Sequence, residues 1–193
     1  MTHLLGLTGS IGMGKSTTAA MFRDAGFPVW DADAAVHRLY DVGGGAVGPI
    51  GEVFPAAVIN GAVSRPVLKD ALQADPKNLL KLEAIVHPLI KADREAFIAA
   101  QTSPLIVLDI PLLFETGADE WLDSVLVVSA PADVQAARVL ARPGMMQDTF
   151  DIILARQMSD AEKRARADFV IKTLSLDATR RAVQNLIFDL TGK

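Results

Sequence analysis

The sequence predicts an α/β protein in three layers, with a parallel five-stranded sheet between helices. Two observations carry that expectation. The run Gly9-Ser10-Ile11-Gly12-Met13-Gly14-Lys15-Ser16 joins an apolar, strand-length segment to a helix-forming one. Short apolar runs then recur at 105–109, 125–128 and 169–171, each near-continuous rather than alternating. Strands buried on both faces of a parallel sheet read this way, and their alternation with helical stretches implies crossover connections.

In chain order, His3 to Thr8 is the first strand. The loop after it fits G-x-x-x-x-G-K-[ST]: Gly9, Gly12 and Gly14 free backbone N–H groups to cradle phosphate oxygens, and Ile11 and Met13 between them count among the ATP-binding residues. Lys15 can reach the β/γ-phosphates, and the Ser16 hydroxyl can hold Mg²⁺. Thr17 to Ala25 continues as helix, with Gly26 at the C-cap and Pro28 beyond it. Phe27 to Trp30 is a second strand, followed by Asp31-Ala32-Asp33 and a helix over 34–40 with Asp33 at its N-terminus. Gly43-Gly44-Gly45 ends it, and no clear periodicity follows up to Arg65. Asp75-Pro76 opens a helix carrying Leu79, Leu82, Val86 and Leu89, with a kink or new start expected at His87-Pro88. Ser129-Ala130-Pro131 starts a helix to about Ala141, and Leu176, Val183, Ile187 and Leu190 mark an amphipathic C-terminal one. Strand C-termini in such a sheet converge on one edge, which gathers the loop 9–16, Asp31, Asp33 and Asp109.

The chain has 193 residues, half of them hydrophobic, a net charge of −4 and no cysteine. That suits one domain with a sizeable core and excludes disulfides and thiolate metal sites. The balance gives no electrostatic footprint for nucleic acid, and no apolar run approaches the ~18 residues of a membrane span. The phosphate loop occupies the place of a secretory h-region, so a soluble cytoplasmic protein is expected.

The remaining chemical groups admit two readings each. Asp109 ends an apolar strand, where a Mg²⁺-side carboxylate belongs; the alternative is a turn or cap aspartate. Asp33 can accept the proton of an attacking hydroxyl, or can pair with Asp31 in capping the helix that follows. Arg138 and Arg142 share a helix face and offer cations over a transferring phosphoryl group, on a closing segment hinged at Pro143-Gly144. Lys163 and Arg166 read as a solvated basic face. His3, His37 and His87 have no metal-ligand spacing, and Met145-Met146 reads as packing. The nearest rivals are another small-molecule kinase, acting on a nucleoside, nucleotide or sugar acid, and a nucleotide-hydrolysing switch. The chain lacks the Asn-Lys-x-Asp guanine reader of a GTP switch.

Taken in order, these residues resemble the dephospho-coenzyme A kinase family over nearly the whole chain. The resemblance runs through Leu7 to Ser16, Asp31-Ala32-Asp33, Gly61 and Arg65, Leu82 to Ile90 with its His87-Pro88, and Asp109-Ile110-Pro111-Leu112-Leu113-Phe114-Glu115. It ends with Gln135, Arg138, Arg142, Arg156-Gln157 and Ala167 to Ile171. Three positions depart from the family habit: Ser10 where Gly is frequent, Met13 where Ser or Thr is, and Thr173 where Asn is common, which bears on the adenine side. The resemblance implies a P-loop NTPase fold in one domain spanning 1–193. Its core would be about 1–42, 101–137 and 161–193, with a helical substrate lobe about 43–100 and a lid about 138–160. It implies transfer of the γ-phosphoryl group of ATP, with Mg²⁺, to the ribose 3′-hydroxyl of dephospho-CoA, by a monomer or weak oligomer. Lys15, Arg138 and Arg142 would serve the phosphates and Asp33 the 3′-hydroxyl, with His87, Asp109 and Leu113 near the acceptor.

Overall fold

The computed structural model describes residues 2–192. In chain order the elements are β1 (His3–Thr8), α1 (Lys15–Asp24), β2 (Val29–Asp31), α2 (Ala32–Tyr40), α3 (Val47–Val53), β3 (Val58–Ile59), β4 (Ala62–Val63), α4 (Arg65–Ala74) and α5 (Lys77–Ala99). There follow β5 (Leu105–Asp109), β6 (Ser124–Ser129), α6 (Ala132–Leu140), α7 (Gln147–Ala155), α8 (Asp160–Arg166), β7 (Phe169–Lys172) and α9 (Leu176–Thr191). They form two compact units, Met1–Trp30 with Gln101–Lys193, and Asp31–Ala100.

The first unit is built on a five-stranded sheet in the order β2-β5-β1-β6-β7. β1 lies between β5 and β6, parallel to both, with Leu7 level with Asp109 on one side and Leu126 on the other. Central position explains the apolar runs: Leu5, Leu7, Val107, Leu126 and Val128 are fully buried. Phe22 of α1 and Val183, Leu186 and Ile187 of α9 pack into the same core. Truncating a buried phenylalanine such as Phe22 costs about 3–5 kcal/mol, so α1 is held firmly behind its loop. Parallel strands that all present their C-termini to one edge bring the loop after β1 beside Asp109 at the end of β5.

The second unit is mainly helical. Asp31 caps α2, its Oδ1 accepting from the Ala34 N–H at 2.9 Å. Asp33 is therefore inside the first turn rather than at the cap. The stretch 43–65, without visible periodicity in sequence, contains α3 and a tight β3–β4 hairpin turning through Asn60-Gly61, both at positive φ. α5 runs through Pro88 as one helix, so of the expected kink or new start no new start occurs there. Leu82, Ile85, Val86, Leu89 and Ile90 flank that proline and pack on Ile50, Phe54 and Leu68. Burial of this apolar face outweighs the roughly 3 kcal/mol that an interior proline costs.

Candidate active site

The phosphate loop hangs between two buried supports. Behind it, Met13 packs in the core and its Sδ accepts from the Ala130 N–H at 3.0 Å. Beside it, Gly9 lies against Val128. Gly14 is the N-cap of α1 with φ +87°, and a Cβ there would lie 3.0 Å from Thr173 Oγ1. Only glycine takes that conformation without strain so close to a neighbour. No side chain caps α1, and no acidic residue stands in its first turn. Its free N–H groups and the positive end of its dipole are thus left for an anion.

Lys15 and Asp109 form an ion pair at this helix start. Asp109 is 2% exposed, whereas part of the Lys15 side chain reaches solvent. Ser16 and Thr17, the next two residues of α1, are exposed. On the other flank Arg138 of α6 is anchored to Thr173: one nitrogen donates to Thr173 Oγ1 at 3.0 Å and another to its carbonyl. Thr173 Oγ1 in turn donates to the Met13 carbonyl at 2.8 Å. Thr173 is thereby a strut between β7, α6 and the loop. Gly14, Thr17, Arg138, Thr173, Leu174 and Leu176 line a cavity of about 210 Å³, with the two leucines largely exposed at its rim.

The structure therefore brings Gly9, Ile11, Gly12, Met13, Gly14, Lys15, Ser16, Thr17, Asp109 and Arg138 into one neighbourhood of the sheet unit. Arg142 is exposed just beyond the end of α6. Asp33 and His87 are both exposed, in the unit of residues 31–100. Leu113, expected near the acceptor, is fully buried against Gly6 of β1, while its neighbour Leu112 is the exposed one.

Several residues gain roles that spacing did not reveal. Lys163 is fully buried, not part of a solvated face, and its Nζ lies 2.9 Å from Glu115 Oε1. The geometry is that of an ion pair rather than an aligned hydrogen bond. Burial alone would raise the Glu115 pKa. The Lys163 ammonium, the Met158 N–H at 2.8 Å and the backbone N–H of Glu115 itself outweigh that and hold it below the usual carboxylate value. Arg166 pairs with Asp119 at 2.6 Å and lies over the Phe114 ring. Gln135 and Gln157 both bond the backbone of Ile11. The first two of these pairings bind 115–119 to 158–166, which no local spacing could signal.

A family model described as dephospho-CoA kinase matches residues 3–177. A dephospho-CoA kinase of Cereibacter sphaeroides is 57% identical over 183 residues, covering 95% of this chain and 93% of that protein. A crystal structure from Thermus thermophilus aligns with TM-score 0.87 and 37% identity over 99% of both chains. A dephospho-CoA kinase structure from Campylobacter jejuni aligns with TM-score 0.73 and 25% identity, over 100% of this chain and 98% of that one. The expected glycine loop, sheet and ordered motifs agree with these matches, and the chain belongs to the dephospho-CoA kinase family.

Proposed function

We propose that this chain transfers the γ-phosphoryl group of ATP to the ribose 3′-hydroxyl of dephospho-CoA, giving CoA and ADP in the last step of CoA synthesis. The observation that carries the nucleotide half is the uncapped start of α1 behind the glycine loop, with Lys15 held there by Asp109. A preorganised ammonium and helix dipole stabilise charge on the transferring group without rearrangement. The cavity beside Arg138 suits the adenine, with Leu174 and Leu176 as its apolar rim and the guanidinium as its polar edge. Arg142, exposed ahead of Pro143-Gly144, is free to swing over the phosphates.

On the acceptor side, Asp33 orients the 3′-hydroxyl and takes its proton as that oxygen attacks the γ-phosphorus. The bond from γ-phosphorus to the β–γ bridging oxygen breaks, and the charge leaves on ADP. Support for Asp33 comes from the capping contact of Asp31, which fills the structural alternative and leaves the Asp33 carboxylate exposed. His87 is a second candidate for acceptor contact.

The donor set suits Mg²⁺. Ser16 offers a hydroxyl at the open end of α1, and Asp109 a carboxylate already bonded to Lys15, which fits an outer position. Among the described residues no group of three or more His, Cys, Asp or Glu could hold a metal by itself. Such a supply matches a cation bound mainly through phosphate oxygens and water. Bound with ATP, Mg²⁺ supplies neutralising charge on the β- and γ-phosphates.

Among the described residues no helix is long and apolar enough to cross a membrane. Both substrates are small soluble molecules, which fits action in the cytoplasm. The test is ADP production with dephospho-CoA against a panel of nucleosides, nucleotides and sugar acids. Turnover is expected with dephospho-CoA. Turnover of another acceptor in its place, or ATP hydrolysis indifferent to any acceptor, would overturn the assignment.

A further inference from the structure

Ile11 is held at both ends of its backbone. Its N–H donates to Gln157 Oε1 at 3.1 Å, and its carbonyl accepts from Gln135 Nε2 at 2.7 Å. Ile11 and Gly12 are the central residues of a turn closed by the Met13 N–H on the Ser10 carbonyl at 3.1 Å. Gly12 has φ +78°, and a Cβ there would lie 2.5 Å from Val139 Cγ2. A positive φ at the third residue distinguishes a type II turn from a type I turn. The two forms differ by a rotation of the central peptide, which here consists of the Ile11 carbonyl and the Gly12 N–H. Whatever holds that carbonyl also sets the direction of the Gly12 N–H.

The two glutamines are built for this hold. Gln135 projects from α6 and is 6% exposed. A buried amide costs stability unless its hydrogen bonds are made, so the bond to the Ile11 carbonyl gives a reason for its presence. Gln157 follows α7, and its chain neighbour Met158 is pinned through its N–H to Glu115, which pairs with the fully buried Lys163. The amide that meets Ile11 is thus seated on a fixed post at the far end of the segment expected to close.

We propose that Gln135 and Gln157 are positioning residues that clamp the Ile11 backbone and so aim the Gly12 N–H at the phosphates of bound ATP. The inference rests on the nucleotide half of the function above and needs no particular acceptor. Its failure and that of the acceptor assignment are therefore distinguishable, because ATP binding is read by direct titration without acceptor.

The test uses the full chain with Gln135→Met, which keeps length and cannot donate, and Gln157→Leu, which cannot accept. For Gln135→Met the ATP Kd and KM should rise about five- to tenfold, the scale of one lost hydrogen bond. For Gln157→Leu the rise should be about threefold. The KM for dephospho-CoA, and kcat at saturating ATP, should stay within about twofold, a split that general loosening of the fold would not give. An ATP Kd within twofold of wild type in both variants, or both KM values rising together, overturns the proposal. A response from one variant alone keeps that residue and removes the other. If Gln135→Met does not fold, Gln157→Leu decides: a threefold rise supports the clamp and no rise overturns it.

Discussion

The sheet unit and the helical unit present their chemical groups in opposite ways. In the first, the groups are already bonded to one another: Lys15 to Asp109, Arg138 to Thr173, Ile11 to two glutamines. In the second, Asp33 and His87 stand exposed on α2 and α5. The difference fits the work proposed for each. Stabilising charge on a transferring phosphoryl group demands donors fixed in advance, because reorganisation would cost as much as it gains. Accepting a proton from a hydroxyl demands an accessible carboxylate that reaches its partner only when substrate arrives.

Mutation can break that contrast at its strongest point first. Lys15→Ala removes the fixed ammonium, and kcat/KM should fall roughly 10³-fold, the upper range for one electrostatic contact in a transition state. Steady-state kinetics checks this. Asp33→Asn should lower kcat by roughly 10²-fold, the lower range for a general base, while thermal stability and the ATP Kd stay at wild-type values. A near-normal kcat in Asp33→Asn would reduce Asp33 to a surface residue and erase the contrast.

Glu115→Gln probes how far the bonding of the sheet unit extends beyond the phosphate loop. It leaves the Lys163 ammonium fully buried without its counter-charge, which should cost about 3 kcal/mol in chemical denaturation, the lower range for breaking a buried pair. The pH dependence has a definite sign. Because the folded-state pKa of Glu115 is lowered, its contribution is present above the ordinary carboxylate pKa and lost as pH falls through the lowered value. Wild type should therefore lose stability more steeply in acid than Glu115→Gln. Smallest of all, Asp31→Ala removes a cap from α2 and should cost about 1 kcal/mol with kcat unchanged, separating the structural aspartate from its chemical neighbour.

Much of the site was legible because its signals are local. The glycine loop, Lys15, Ser16 and the end of β5 are read within a few residues of each other, and parallel strand order then joins them. The clamp on Ile11 was not legible as a clamp: Gln135 and Gln157 lie 124 and 146 residues away from it in sequence, and a glutamine on a helix carries no spacing signal. Lys163 misled for a related reason, since a lysine among charged residues looks solvated until its partner at Glu115 is known. Pro88 starts no new helix because the burial of Val86 and its neighbours overrides a local cost. Two further elements carry local signals of their own. Asn60-Gly61 is a strong two-residue hairpin signal. Ser159 with Glu162 forms a capping box that starts α8.

On the proposed function, one chain carries both a fixed phosphate cradle and an accessible hydroxyl-activating carboxylate. Phosphorus NMR of the product made from ATP and dephospho-CoA tests it most directly. One new phosphomonoester on the ribose 3′-oxygen, formed in equal amount to ADP, is the expected result. ADP formed without that monoester, or a phosphate on any other oxygen, would contradict it.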